Sequence, residues 1–295
     1  MALNILIVLI TGTSLNGIGF ETALAIAKRA NLVTIMGYNA DRLKLSEDAI
    51  KKEVPTANIR RVILNLSSLT AVRKAAEVVN ADPEPLHLLA PKLLAAAMPG
   101  YTPRVVFVSS VAHAFGAGVD FATLEHPDPA KYRASLAYFQ AKSANILAAI
   151  ELQAFQGAQK GRKKGVKKGA KRASKRATVN DPNVHSVLRR QLNWDLVIFT
   201  NLVQKEESIA ELQSMGFLGP DGRPSSEKFQ GKTIPQAAAT TVAAAFDPWL
   251  NDKAEAYLDD CAVATESVSP HSSDPANAEK LWVITEKIIG EKFTF

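Results

Sequence analysis

Tyr138 and Lys142 stand four residues apart in AYFQAKSANILAAIEL (137–152), where the Ala and Leu content predicts a helix over Leu136–Phe155. Residues i and i+4 share one helix face, so the phenol and the ammonium are neighbours. A free tyrosine ionises at about pH 10. A neighbouring ammonium favours the phenolate, and so brings the phenol's proton transfer nearer neutrality. Taken alone, the pair also fits any exposed amphipathic helix. Ser109 and Ser110 close the apolar run RVVFV (104–108), a strand by composition. Ligands of open α/β sheets bind at the carboxyl ends of strands, where a serine hydroxyl can hold a carbonyl oxygen. A strand-end cap is the plainer use of the same serine.

A third constellation lies near the start. Thr11-Gly12 and Gly17-Ile18-Gly19 follow the apolar run Leu3–Ile10 and precede the helical pattern Phe20–Arg29. A glycine-rich turn between strand and helix is the context in which backbone approaches a pyrophosphate. The glycines permit the turn, and the helix N-terminus supplies free N–H groups and a positive dipole end.

These residues need a frame, and the chain offers one. At 295 residues, with 47% hydrophobic and 22% charged residues, it has the composition of a globular domain. A disordered chain, a collagen-like fibre and a disulfide-stapled miniprotein are excluded. Strand patterns at Leu3–Ile10, Leu32–Met36 and Ile59–Leu64 alternate with helix patterns. Ser46 is the expected cap of a helix through Glu53, and Ser67 or Ser68 of a helix through Val79. This order predicts an α/β fold: a doubly wound, Rossmann-like parallel sheet in a single domain. Only 39 residues separate Leu64 from Arg104, too few for the two further units that such a sheet holds there. The fourth strand is therefore expected to be absent or distorted, with residues 86–98 read as a helix. The strand at 104–109 is then expected to move over and pair with the first. Further on, 195–200 reads as a strand, Lys205–Ser214 and Ile234–Phe246 as helices. A last helix starts at Asp274-Pro275 and ends at Gly290.

Glycine turn, strand-end serine and Tyr-x-x-x-Lys, in that order, resemble the short-chain dehydrogenase/reductase family. RVVFVSSVAHAFG (104–116) followed by AYFQAKSANILAAIEL looks most like its retinol-dehydrogenase-like branch, especially fungal members. The resemblance covers 3–80, 92–156 and 197–292. It implies an NAD(P)(H)-dependent oxidoreductase that interconverts an alcohol and a carbonyl by hydride transfer. By the same resemblance Ser110 orients the substrate oxygen, Tyr138 is the general acid/base, and Lys142 lowers the tyrosine pKa and holds the nicotinamide ribose. Gly12, Ser14, Gly17, Ile18 and Gly19 would cradle the cofactor, and Thr200 would touch its carboxamide.

The chain also departs from the family. Four residues separate Gly12 from Gly17, where three are usual. The Asn-Asn-Ala-Gly stretch after the fourth strand is missing, as is the start of the next helix with its catalytic Asn. A basic run and residues 180–194 replace the strand after the catalytic helix. A divergent paralogue or a faulty gene model would each give this pattern. After the second strand come Tyr38, Asn39, Ala40, Asp41 and Arg42. The late acidic residue and the adjoining Arg42 favour NADP over NAD. Asn65 stands where the family has an aspartate on the adenine side.

Residues 157–176, GAQKGRKKGVKKGAKRASKR, hold ten positive charges and no negative ones. Removing those ten turns the formal +6 into −4 for the remainder, so the high pI does not describe the fold. The expected organisation is 1–156 as the dinucleotide-binding half with the Ser/Tyr/Lys site, 157–193 as a disordered basic insert, and 194–295 as the rest of the same domain. Alternative readings are a catalytically impaired nucleotide-binding remnant, or a basic nucleic-acid-associated protein. The second is disfavoured because no aromatics interleave the charges. No metal site is expected. The run Ile5–Ile10 is too short to span a membrane. One cysteine, Cys261, points to a reducing compartment, the cytoplasm, while the basic run leaves the nucleus open. A homo-oligomer is compatible with the resemblance, although its usual interface helix is truncated.

Overall fold

The computed structural model describes residues 6–81, 103–163, 185–189, 209–210, 213–214, 216, 218–222, 232–253 and 256–293. Two compact units result, residues 1–96 with 192–246, and residues 97–191 with 247–295.

In the first unit, β1 (Ile7–Thr11), β2 (Leu32–Gly37) and β3 (Ile59–Ile63) form a parallel sheet in the order β1-β2-β3. The crossovers are α1 (Ile18–Ala27) and α2 (Ala40–Glu53), and α3 (Leu69–Asn80) follows β3. Alternation along β2 sends Val33 and Ile35 to one face, where Phe20, Ala23 and Ile26 of α1 and Leu43 and Ile50 of α2 cover them. Met36 faces the other side with Val62, Ala75 and Val79. Helices therefore cover both faces, as a parallel sheet requires. Ser68 caps α3 by accepting from the Ala71 N–H at 3.2 Å.

In the second unit, β4 (Arg104–Val108) pairs in parallel with β5 (His185–Arg189), and β5 with β6 (Tyr257–Asp259). A tight turn through Asp260 and Cys261, both at positive φ, leads antiparallel into β7 (Ala262–Val263). After β4 come a 3-10 turn, Val111–Ala114, and α4 (Phe121–Glu125). The long α5 (Ala134–Lys163) then lies with Ile146 and Ala149 against Phe107 and Tyr257. Its Leu147 meets Ala278 and Leu281 of α8 (Pro275–Ile289), which follows the short α7 (Pro270–Ser273). Helix α6 (Ile234–Phe246) belongs to the first unit, where Val242 and Phe246 join the α1 cluster.

Four expectations change. Among the described residues β4 pairs with β5 and not with β1, so the predicted shift of this strand onto the first is not observed. The segment read as a replacement for a strand supplies one, β5, paired with β4 over five residues. Helix α5 runs eight residues past Phe155 into the basic run. Ser46 does not cap α2, which starts earlier under Asn39. The readings of 86–98, 195–200, most of 205–214 and residues 164–184 of the basic segment lie outside the described residues.

Candidate functional site

The glycine turn is built by close backbone contacts. Gly12 takes φ +71°, a left-handed conformation that glycine adopts without cost, and its N–H donates to the Met36 carbonyl at 2.8 Å. A Cβ at Gly19 would lie 2.5 Å from the Gly12 carbonyl oxygen and 3.1 Å from that of Thr11. One at Gly17 would lie 3.0 Å from the Ser14 oxygen. The strand end and the start of α1 are thus in contact through glycine alone. Gly17 is the N-cap of α1 and supplies no side-chain hydrogen bond, so the first-turn N–H groups at Ile18 and Gly19 have no side-chain cap.

Ser46, which spacing suggested only as a cap, braces this turn. It is fully buried, and its hydroxyl reaches the Thr13 carbonyl at 2.7 Å and its own helix at Arg42 O, 3.0 Å. Beside the turn opens a cavity of about 350 Å³, lined by Gly12, Gly37, Tyr38, Asn65 and Leu66 among others. Asn65 Oδ1 accepts from the Ser67 N–H at 3.0 Å and from the Ser67 hydroxyl at 2.6 Å, so this asparagine orders the cavity's rim. Asn39 accepts from the Arg42 N–H at 2.9 Å as the cap of α2. The Arg42 side chain is exposed and joins no ion pair among the described residues. Thr200 lies outside them.

The second unit brings Ser110, Tyr138 and Lys142 together. The two serines at the end of β4 divide the work. Ser109 is buried, and its hydroxyl donates to the Lys142 carbonyl at 2.8 Å, tying strand to helix. Ser110 Oγ accepts from the Ala112 N–H at 3.3 Å, capping the 3-10 turn, and its hydroxyl favours the Tyr138 phenolate. Lys142 follows one helical turn on. Its Nζ lies 5.3 Å from the centre of the Tyr138 ring and donates to the Val108 carbonyl at 3.3 Å. Asn145 Nδ2 donates to the same oxygen at 2.9 Å.

Electrostatically the pair differs from its sequence reading. Burial pushes the Tyr138 phenol above its usual value, and Ser110 opposes this only in part. Burial also holds the Lys142 ammonium below the ordinary lysine value. The expected lowering of the phenol by Lys142 is therefore outweighed: desolvation penalises the phenolate, and the ammonium is turned to the Val108 carbonyl. In this state Tyr138 keeps its proton at neutral pH. Among the described residues no group of acidic, histidine or cysteine side chains is arranged to hold a metal, and no helix is long and apolar enough to cross a membrane.

No family model matches the chain. It is 26% identical to the WW domain-containing oxidoreductase of Danio rerio, over 98% of this chain and 69% of that protein. It is 29% identical to the chloroplastic short-chain dehydrogenase TIC 32 A of Brassica napus, over 95% of this chain and 88% of that one. The likeness is therefore not confined to fungal members. Among solved structures, L-sorbose reductase from Gluconobacter frateurii, complexed with NADPH and L-sorbose, superposes with a TM-score of 0.53. That match has 14% identity and covers 88% of this chain and 97% of the other. With sequence likeness along nearly its whole length and a matching doubly wound fold, the chain is similar to the short-chain dehydrogenases/reductases.

Proposed function

We propose that this protein is an NAD(P)(H)-dependent reductase of small-molecule carbonyls, with Tyr138 as its proton donor. The observation that carries the reading is the gathering of Ser110, Tyr138 and Lys142 at the carboxyl end of a parallel strand, with Lys142 Nζ 5.3 Å from the centre of the Tyr138 ring. In the direction of reduction, Ser110 orients the carbonyl oxygen and Tyr138 gives that oxygen its phenol proton. The Lys142 ammonium then stabilises the phenolate left behind. A bound nicotinamide supplies the hydride to the carbonyl carbon. The raised phenol suits this direction, since an acid must hold its proton at working pH.

The first unit fits a dinucleotide. The close approach of Gly19 to Gly12 leaves backbone, not side chain, facing the turn, and the α1 N-terminus has no side-chain cap. The cavity beside it has room for a nucleoside, with Asn65 at its rim. Exposed Arg42, just after β2, favours the 2′-phosphate of NADP, and the Gluconobacter relative is seen with NADPH. A single cysteine in the chain, the exposed Cys261, suits a reducing compartment such as the cytoplasm.

The test is NADPH oxidation followed by absorbance against a panel of aldehydes and ketones, with Tyr138→Phe beside the wild type. Turnover that falls on the order of 100-fold or more in Tyr138→Phe is expected. Equal rates in the two proteins would remove Tyr138 from the reaction. NADPH binding with no turnover on any carbonyl would reduce the protein to a nucleotide binder.

A further inference from the structure

His113 lies in the 3-10 turn directly after Ser110 and is fully buried. Its backbone N–H, at 3.0 Å, and its ring Nδ1, at 2.8 Å, both reach the Ser110 carbonyl oxygen. A carbonyl only accepts, so Nδ1 carries the proton. Nε2 accepts from the backbone N–H of Ser269 at 3.2 Å and must be bare. The imidazole is therefore neutral and held in one tautomer. The carbonyl of His113 is gripped in turn by His271 Nε2 at 2.8 Å, Ser143 Oγ at 3.2 Å and Ser272 Oγ at 3.4 Å. Its ring meets Tyr257 edge to face, centroids 5.7 Å apart.

A buried histidine with both nitrogens spent is also an ordinary core residue. What sets this one apart is what it holds. Two donors from one residue fix the Ser110 carbonyl, and with it the backbone that sets where the Ser110 hydroxyl stands. Ser143 follows Lys142 in α5, so the same cluster grips the helix that carries the other two site residues. We infer that His113 is a positioning residue. Its Nδ1–H, kept in that tautomer by the Ser269 amide, fixes the Ser110 backbone and so sets where the Ser110 hydroxyl stands relative to Tyr138. The consequence for turnover rests on the reductase reading; the geometry does not.

The experiment reads Tyr138 directly. Protein carrying 13Cζ-labelled tyrosine is titrated by NMR, with the Tyr138 signal assigned by its loss in Tyr138→Phe. Ser110 favours the phenolate, so in His113→Leu, where Ser110 is no longer held, Tyr138 should titrate at higher pH than in the wild type. His113→Asn puts an amide N–H where Nδ1–H was, and should return the titration to its wild-type position. Ser269→Pro deletes only the amide that pins Nε2. Ser269 already has φ −58°, close to that of proline, and its side chain caps nothing. This variant should move Tyr138 in the same direction.

With NADPH and 4-nitrobenzaldehyde as the probe pair, kcat should fall on the order of 100-fold in His113→Leu, with KM for NADPH unchanged. An unmoved Tyr138 titration in folded His113→Leu overturns the positioning role. Should that variant not fold by circular dichroism, an unmoved titration in Ser269→Pro overturns it instead. A shifted titration in a protein whose wild type turns nothing over upholds the positioning role and removes the reductase reading. An unmoved titration in an active enzyme does the reverse.

Discussion

Replacing Gly19 by alanine separates two effects that usually travel together. The new Cβ would stand 2.5 Å from the Gly12 oxygen, 3.0 Å from the Gly12 carbon and 3.1 Å from the Thr11 oxygen, all backbone atoms. An ordinary contact is about 3.5 Å, so strand end and helix start must part by roughly 1 Å. Overpacking of this kind costs about 1–3 kcal/mol. Against it, Gly19 is the second residue of α1, and alanine in a helix regains up to about 1 kcal/mol. The net loss of stability thus lies between about zero and 3 kcal/mol. Cofactor affinity is hit harder, because the displaced N–H groups no longer converge on a phosphate. Each such bond to a charged group is worth about 1.5–3 kcal/mol, tenfold or more in Kd.

Gly12→Ala is the control. Nothing lies within 4 Å of its Cβ, but φ is +71°, so the cost, about 1–2 kcal/mol, is conformational and leaves the loop in place. Titration calorimetry with NADPH and urea denaturation should therefore separate the two: Gly19→Ala loses far more affinity than Gly12→Ala, while their losses of stability are comparable. A Gly19→Ala protein that binds NADPH within about threefold of wild type would refute the reasoning.

Ser46→Ala leaves the buried Thr13 carbonyl without its hydroxyl donor, so unfolding free energy should fall by about 1–3 kcal/mol in urea, with weaker NADPH binding by calorimetry. Unchanged stability would mean that Ser46 braces nothing. Lys142 has its ammonium depressed by burial, so its contribution to stability is present above the ordinary lysine pKa and is lost as pH falls through the lowered one. Lys142→Met, with Asn145 still bonded to Val108, should therefore melt at or above the wild-type temperature at pH 7. That advantage should shrink as pH rises from the lowered lysine pKa toward about 10.4 and be gone above it, while turnover falls on the order of 100-fold. A Tm at pH 7 below wild type would count against the assignment. Arg42→Ala should raise KM for NADPH roughly tenfold and leave that for NADH alone, as loss of one bond to a charged phosphate requires. Equal effects on both cofactors would take Arg42 out of the 2′-phosphate site.

Short-range signals in the chain proved sufficient for much of the frame. The apolar strands of residues 6–81 appear where their hydrophobic pattern puts them, Ser68 caps α3 as its type implies, and Ile234–Phe246 has the bounds its alanine-rich pattern suggests. Asp274 caps α8 and Gly290 ends it at φ +75°, as their types imply. What failed depended on contacts distant in sequence. Ser46 looks like a cap because serine often is one; its partner, the Thr13 carbonyl, lies 33 residues away. Strand β5 was hidden by the charges around two apolar residues. The ionisation of Tyr138 was misjudged because spacing reports the neighbouring ammonium but not the burial that opposes it. His113 gave no signal, since the amide that fixes its tautomer lies 156 residues on.

The stitching of β4 to α5 sets what the site can tolerate as the chain changes length. Ser109 holds the Lys142 carbonyl, and both Lys142 and Asn145 hold the Val108 carbonyl, so one turn of the helix is clamped to one strand end. The clamp fixes the helix's rotational phase. Insertions or deletions between Gly116 and Arg133 arrive upstream of Tyr138 and leave that phase alone. A single residue inserted between Tyr138 and Lys142 turns the phenol by about 100° and carries it about 1.5 Å along the axis, away from Ser110. Drift in length is therefore open to the loop before the helix and closed to the four-residue interval within it.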